Sequence, residues 1–226
     1  SAIIQSSRVG PEGGQVLEIG CGTGFLSEAL VTARPDLAFT ISDVAPAMLA
    51  RAQQRLGEAR PGLRYALVDG EHPAPPPPGG WHLIASSLAF QWFENPAGSI
   101  AALANMLTPG GRLAFSTLVA GSFAEWTTAL EGAGLAGITR VYPEPDLLLS
   151  GCGPGMAVDM DTYQLVENHD DALAFLRSIK AIGAGTSWTG TARPAALKRA
   201  IAAFDQAGAS IRYNIAEVVI ERTMVN

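Results

Sequence analysis

Val16-Leu17-Glu18-Ile19-Gly20-Cys21-Gly22-Thr23-Gly24 joins a short apolar run to a turn with glycine at every second position. The apolar run, Val16–Gly20, reads as a buried strand, and Phe25–Ala33 beyond the turn reads as a helix stopped by Arg34-Pro35. Glycines between a strand and a helix permit a tight turn and a close backbone approach to a ligand. The first turn of the following helix offers unpaired N–H groups at the same place.

The rhythm continues outward from this loop. Leu37–Ser42 has the pattern of a second strand. Pro46–Leu56 opens on a proline suited to a first helical turn and repeats apolar residues at Met48, Leu49 and Ala52. Leu63–Val68 is expected as a third strand. Pro73–Gly80 is a loop stiffened by Pro75-Pro76-Pro77-Pro78. His82–Ser87 follows as a fourth strand, Ala97–Leu107 as a helix and Arg112–Leu118 as a fifth strand. Strand and helix in alternation predict a parallel sheet covered on both faces.

The remainder is less regular. Phe123–Leu130 is expected to be helical, and Tyr142–Gly155 has no clear pattern. Val158–Glu167 reads as a sixth strand. Asp171–Ile182 is amphipathic, with Asp170 as its expected N-cap. Ala195–Ala207 forms another helix and Ile211–Arg222 a final strand. The expected organisation is one domain over residues 1–226. Residues 14–118 form its cofactor-binding half, and residues 119–226 complete the sheet and present substrate- and partner-facing helices.

Glycine spacing narrows the ligand. Dinucleotide loops carry Gly-x-Gly-x-x-Gly, whereas the third glycine here arrives one position early. Glu18 stands before the loop, where it would repel a pyrophosphate but attract the ammonium group of S-adenosylmethionine. Asp43 ends the second strand, where a carboxylate can accept both ribose hydroxyl hydrogens or serve the helix from Pro46. Met48 lies on the next helix and can pack on adenine or on the core. Asp69 follows the third strand, where it can accept from the adenine amino group or stand as an exposed loop acid. These acids and glycines share the carboxyl ends of three successive strands, the edge at which open parallel sheets bind ligands.

Composition excludes several classes. The chain has 226 residues, 48% hydrophobic and 16% charged, which is incompatible with disorder and sufficient for a large core. A formal net charge of −6 disfavours a broad nucleic-acid surface. The two cysteines, Cys21 and Cys152, form no Cys-x-x-Cys pair, so neither a metal site nor a disulfide framework is expected. No apolar run is long enough to span a bilayer, and a cytoplasmic location without membrane association is expected.

On these residues the chain resembles the class I S-adenosylmethionine-dependent methyltransferases from Gln15 to about Leu118. The resemblance rests on Leu17–Gly24, Asp43-Val44-Ala45-Pro46-Ala47-Met48-Leu49, Val68-Asp69-Gly70-Glu71 and Leu107-Thr108-Pro109-Gly110-Gly111. It implies a doubly wound, Rossmann-like α/β fold. The sheet would be mostly parallel and seven-stranded, with helices on both faces and an antiparallel last strand, the role that Ile211–Arg222 fits. The candidate cofactor residues are Glu18, Gly20, Cys21, Gly22, Gly24, Asp43, Val44, Met48, Asp69, Gly70 and Ser87. The implied cofactor is S-adenosylmethionine, with S-adenosylhomocysteine as product.

Within that class the chain is similar to the malonyl-acyl-carrier-protein O-methyltransferases of biotin synthesis. The likeness rests on Ser86-Ser87-Leu88-Ala89-Phe90-Gln91-Trp92, on Phe115-Ser116-Thr117-Leu118, and on Phe175 through Ala184. The Phe90-Gln91-Trp92 piece is shared with methyltransferases of small acids such as trans-aconitate. Members of the family begin with a further helical segment bearing a tyrosine near the cofactor. The chain opens at Ser1 without a methionine, so residues are expected before it.

The implied reaction is methylation of the free carboxylate of a malonyl thioester on acyl carrier protein. Methylation of another small acid or of a quinone ring is the nearest alternative. A nicotinamide-dependent dehydrogenase and a catalytically inactive binding domain stand further off. A carboxylate acceptor is already ionised near neutral pH, with a reference pKa of about 4, so no catalytic acid or base is assigned among His72, His82 and His169. Gln91, Trp92, Thr117 and Lys180 are the substrate-orienting candidates. An acidic carrier protein needs a basic patch on this acidic chain, and Arg177, Lys180, Arg193, Lys198 and Arg199 are the expected contributors.

Overall fold

A computed structural model describes residues 2–7, 10–137, 139–181 and 193–224. In chain order the helices are α1 (Ala2–Ser6), α2 (Phe25–Ala33), α3 (Pro46–Leu56), α4 (Pro96–Asn105), α5 (Ala124–Gly132), α6 (Ala172–Ala181) and α7 (Pro194–Gln206). The strands are β1 (Gln15–Glu18), β2 (Ala38–Asp43), β3 (Leu63–Leu67), β4 (Trp81–Ser87), β5 (Leu107–Leu118), β6 (Met156–Asn168) and β7 (Ser210–Arg222). They form one seven-stranded sheet in the order β3-β2-β1-β4-β5-β7-β6. The β3-β2, β2-β1, β1-β4 and β4-β5 pairs are parallel, and β7 is antiparallel. The order reverses direction at β1, the switch point at which a crevice opens beyond the strand ends.

Several boundaries differ from expectation for identifiable reasons. β1 stops at Glu18 because Gly20 already turns with φ of +68°. β5 begins at Leu107, where Trp81 N–H donates to Met106 O at 2.9 Å and the Arg222 guanidinium donates to Leu107 O at 2.6 Å. α4 accordingly ends at Asn105 and opens at Pro96, with the Asn95 side chain accepting from Gly98 N–H at 3.0 Å. The cap of α6 is Asp171, not Asp170, because Asp171 Oδ1 accepts from Ala174 N–H at 2.6 Å. Ile182, the expected end of that helix, lies outside the described residues, as do Gly183 and Ala184. The unassigned stretch before β6 holds a 3-10 helix over Pro145–Leu149. β6 is exposed along most of its length rather than covered, and Asp159, Asp161 and Glu167 on it discourage pairing with another edge.

The described chain forms two compact units. The first comprises Ser1–Thr117, Glu144–Thr162 and Ala216–Asn226. Its core includes Val16, Leu30, Phe39, Ile41, Ala52, Leu63, Leu83 and Ala114, contributed by β1 to β5 and the helices between them. The second comprises Leu118–Pro143 and Tyr163–Ile215, and Trp126, Leu130, Phe175, Ala200, Phe204 and Ile211 fill its core. No helix among the described residues is long and apolar enough to cross a membrane.

Candidate functional site

The glycine loop leaves β1 pinned to both neighbouring strands. Ile19 N–H donates to Ala85 O at 2.9 Å on β4, and Cys21 N–H to Ser42 O at 2.8 Å on β2. Each glycine answers a different demand. A Cβ on Gly20 would stand 2.5 Å from that of Ala89, and one on Gly24 would stand 3.0 Å from Ala52 Cα on α3. A Cβ on Gly22 would meet nothing within 4 Å, which marks the open side of the loop. The Cys21 side chain points the other way into the core, where burial and the neighbouring Glu18 and Asp43 push its thiol pKa up.

Glu18 is only 1% exposed, and its Oε2 accepts from the Ser27 hydroxyl at 2.5 Å. The Ser42 hydroxyl donates to the Glu18 carbonyl oxygen. Burial raises the Glu18 carboxyl pKa to about 7; the Asp43 charge adds to the rise, and the Ser27 hydrogen bond opposes it. The sequence reading missed Ser27 and Ser42. The local signal for Ser27 is a small polar residue directly after the apolar pair Phe25-Leu26 that opens α2.

Asp43 ends β2 as expected and closes on the loop. Its Oδ2 accepts from Gly22 N–H and its Oδ1 from Ala45 N–H, both at 2.9 Å. The second bond is an Asx-type turn, and Ala45 itself occupies the cap position of α3. Each carboxylate oxygen retains a lone pair for a hydroxyl donor. Val44 beside it is 70% exposed, an unusual state for a valine at a strand end. Met48 is half-buried on α3.

Asp69 is held in a turn: its Oδ1 accepts from Glu71 N–H at 3.0 Å and its Oδ2 lies 2.9 Å from His72 Nδ1. The hydrogen bond from His72 lowers the Asp69 pKa, and the same contact raises that of His72. Gly70 has no room for a side chain, since a Cβ would stand 2.6 Å from both Ile19 Cγ2 and Phe93 Cζ.

The exit of β4 supplies the remaining candidates. The Ser87 hydroxyl lies 3.3 Å from that of Ser116. Leu88 adopts a left-handed φ of +52° while its side chain is 43% exposed. Gln91 holds this turn: its Nε2 donates to Leu88 O at 2.5 Å, and its Oε1 accepts from the Thr117 hydroxyl at 3.3 Å. Trp92 is half-buried at the end of the 3-10 turn Phe90–Trp92.

The first unit therefore brings Glu18, Gly22, Asp43, Asp69, Ser87, Gln91, Trp92 and Thr117 to the carboxyl ends of β1 to β5. Lys180 belongs to the second unit, exposed on α6. So do the other expected basic residues. Arg177 lies 3.9 Å from Asp171, and the Arg199 guanidinium donates to Ala133 O at 3.0 Å beyond the end of α5. Among the described residues no group of three or more His, Cys, Asp or Glu is arranged to hold a metal ion.

S-adenosylmethionine fits these residues. The loop is open at Gly22, Val44 and Leu88 leave apolar surface at the strand ends, and carboxylates follow or end three adjacent strands. A fold of this order with such a rim is that of a class I S-adenosylmethionine-dependent methyltransferase, and the family model described as a methyltransferase domain matches residues 17–113. The biotin biosynthesis bifunctional protein BioCD of Bordetella avium is 40% identical over 204 residues, covering 89% of this chain and 42% of that protein. A malonyl-[acyl-carrier protein] O-methyltransferase of Paenibacillus sp. is 32% identical over 200 residues, covering 83% of this chain and 71% of that protein. The chain belongs to this family of methyltransferases. A similar fold occurs in a phosphoethanolamine N-methyltransferase of Haemonchus contortus, solved with S-adenosylhomocysteine, at a TM-score of 0.60 and 14% identity, covering 99% of this chain and 52% of that one. The chain spans less than half the length of the Bordetella relative.

Proposed function

We propose that this chain transfers the methyl group of S-adenosylmethionine to the free carboxylate of a malonyl thioester on acyl carrier protein, a step toward biotin. The observation that supports the methyl-transfer reading is a glycine loop open at Gly22 and closed upon by Asp43, with Glu18, Asp43 and Asp69 at or just after the ends of three adjacent strands. The acceptor reading draws on the family membership. The cofactor supplies a sulfonium-bound methyl group. With the cofactor bound, Asp43 would accept the ribose hydroxyl hydrogens, Glu18 would offset the charge of the ammonium group, and Asp69 would accept from the adenine amino group. Val44 and Met48 would offer apolar surface to the adenine.

The acceptor needs no deprotonation, because a carboxylate is ionised near neutral pH. Two of the three histidines are held by neighbours: His82 Nδ1 accepts from Gln15 N–H at 3.1 Å, and His72 is paired with Asp69. Catalysis then rests on alignment and exclusion of water, effects that reach effective molarities on the order of 10⁵ M or more. Strong charges in the acceptor pocket would over-stabilise the charged ground state, so Leu88 and Trp92 shape the pocket while Gln91 and Thr117 fix the turn that carries them. The single-domain organisation, with residues 14–118 holding the cofactor and residues 119–226 facing substrate and partner, is part of this proposal. So is a cytoplasmic location.

An activity panel with labelled S-adenosylmethionine tests the assignment. Methyl ester is expected on malonyl carrier protein and malonyl coenzyme A. It is not expected on trans-aconitate or a quinone precursor. Methylation of either of these alone overturns the acceptor, and failure to bind S-adenosylhomocysteine overturns the methyltransferase reading.

A further inference from the structure

Glu71 lies outside the expected site, yet its side chain spans two parts of it. Its Oε1 accepts from Glu94 N–H at 3.0 Å and Asn95 N–H at 2.9 Å, and its Oε2 also accepts from Glu94 N–H at 3.0 Å. These amides stand directly before α4, where N–H groups have no helical partner, and a carboxylate is a strong acceptor for them. The acceptor comes from the loop after β3, the loop that carries Asp69. Asp69 Oδ1 in turn accepts from the Glu71 backbone N–H at 3.0 Å, so one turn orients both carboxylates.

A second contact runs beneath the first. Gly70 is pressed between Ile19, at the start of the glycine loop, and the Phe93 ring. Phe93 meets Phe90 edge-on at 4.9 Å, and Phe90 meets Phe115 at 4.7 Å. The Asp69–Glu71 loop thus grips the cofactor side through Ile19. It grips the acceptor side through Phe93, Glu94 and Asn95.

We infer that Glu71 is a positioning residue that couples cofactor binding to the order of the acceptor-side turn Phe90–Asn95. The inference rests on the methyltransferase reading above. A ligand engaging Asp69 restrains the turn that aims Glu71, and the two amides held by Glu71 pass that restraint to the segment bearing Gln91 and Trp92. Coupling of this kind needs one element biased from both ends, which the loop supplies.

Hydrogen exchange by NMR on the whole chain, with S-adenosylhomocysteine as the probe, tests the coupling. In the unaltered chain saturating probe should slow exchange at Gly22 and Ala45, and at Trp92 and Phe93 by roughly fivefold or more. Glu71→Ala should keep the slowing at Gly22 and Ala45 and lose it at Trp92 and Phe93. Glu71→Gln, whose amide oxygen still accepts from both N–H groups, should keep both. If Glu71→Ala does not fold, Glu71→Asp, which withdraws the carboxylate by one methylene, should show the same loss. Retention of the effect at Trp92 and Phe93 in the loss variant, or its absence from Glu71→Gln, overturns the coupling. Slowing confined to Gly22 and Ala45 in the unaltered chain overturns the coupling alone, whereas no binding of the probe overturns the methyltransferase reading with it.

Discussion

The two compact units of this chain are built on opposite chemical plans. In the first, polar groups organise the exits of the strands: Asp43 closes on Gly22 and Ala45, Ser27 on Glu18, Glu71 on Glu94 and Asn95, and Gln91 on Leu88. In the second, the interior is aromatic. Phe175 lies at the centre, with Phe123, Trp126, Phe204 and the His169 ring at centroid distances of 6.2, 5.7, 5.3 and 5.4 Å. Hydrogen bonds to backbone amides fix a loop in one geometry, which a small cofactor requires. Aromatic packing fixes a helix pair from within and leaves charged side chains on its exposed faces. Directional bonds therefore set the loop geometry of the first unit, and filled volume sets the stability of the second.

The largest expected effect lies in the second unit. Phe175→Ala empties the middle of the aromatic cluster, and a truncation of this kind costs about 3–5 kcal/mol. A fall of that size should appear in the denaturant midpoint, while the affinity for S-adenosylhomocysteine, measured well below that midpoint, stays within about threefold of the unaltered chain. Loss of both together would break the division of labour.

Next comes Glu18, the buried acid of the first unit. Its folded pKa, about 7, stands above the ordinary value of 4.5. Below about 4.5 the carboxyl is protonated in both states and its contribution to stability is full. Between 4.5 and 7 the unfolded chain ionises first, so stability falls with rising pH, and above 7 the loss is constant. A tenfold difference in proton affinity between the two states corresponds to about 1.4 kcal/mol, so the whole fall is on the order of 3 kcal/mol. Glu18→Gln cannot ionise, so the stability difference between it and the unaltered chain should change across this window. A flat difference curve would show that burial does not govern Glu18.

Asp43→Ala should follow in size. It removes the two loop hydrogen bonds to the Asp43 carboxylate and, on the function proposed above, withdraws the ribose contact. Affinity for S-adenosylhomocysteine, read by calorimetry, should fall about 100-fold or more, with the aromatic cluster of the second unit unaffected by near-ultraviolet circular dichroism. An unchanged affinity would mean that the ribose is held elsewhere.

The same contrast explains what could be read from the amino-acid sequence. Gly20, Gly22, Gly24 and Asp43 were legible because their demands are local: a turn, an open side and a strand end all fall within one βαβ unit. Alternating strand and helix patterns gave the order of elements through β5 for the same reason. Glu71 was not legible, because its partners Glu94 and Asn95 lie more than twenty positions away and any nearby acceptor could have served them. Nor was the engagement of Gln91 with Leu88 and Thr117, which depends on a left-handed leucine that no residue preference announces. The pattern alone does not separate Asp170 from Asp171 as the cap of α6, because adjacent acids differ only in which one has its carboxylate aimed at the third amide of the helix. The boundary of β5 moved because Leu107 is held by Trp81 and Arg222, contacts that only the assembled sheet provides.

The smallest effect concerns the exposed face of the second unit. A carrier protein rich in acids would be drawn to its cations, but they are not equivalent. All five expected basic residues are exposed, but Arg199 is engaged at Ala133 O beyond the end of α5 and Arg177 lies beside Asp171. Reversal at Arg199 would therefore confuse docking with stability. Arg193→Glu and Lys198→Glu are the cleaner pair. Rim charges each contribute about 0.2–1 kcal/mol, so the double variant should raise KM for malonyl carrier protein about two- to thirtyfold and leave kcat unchanged. The increase should shrink as salt rises, because exposed charges are screened over about 8–10 Å at physiological ionic strength. Malonyl coenzyme A, which presents no protein surface, should show no comparable change. An equal rise for both substrates would move the docking surface off α6 and α7 and leave the second unit a stabilising body alone.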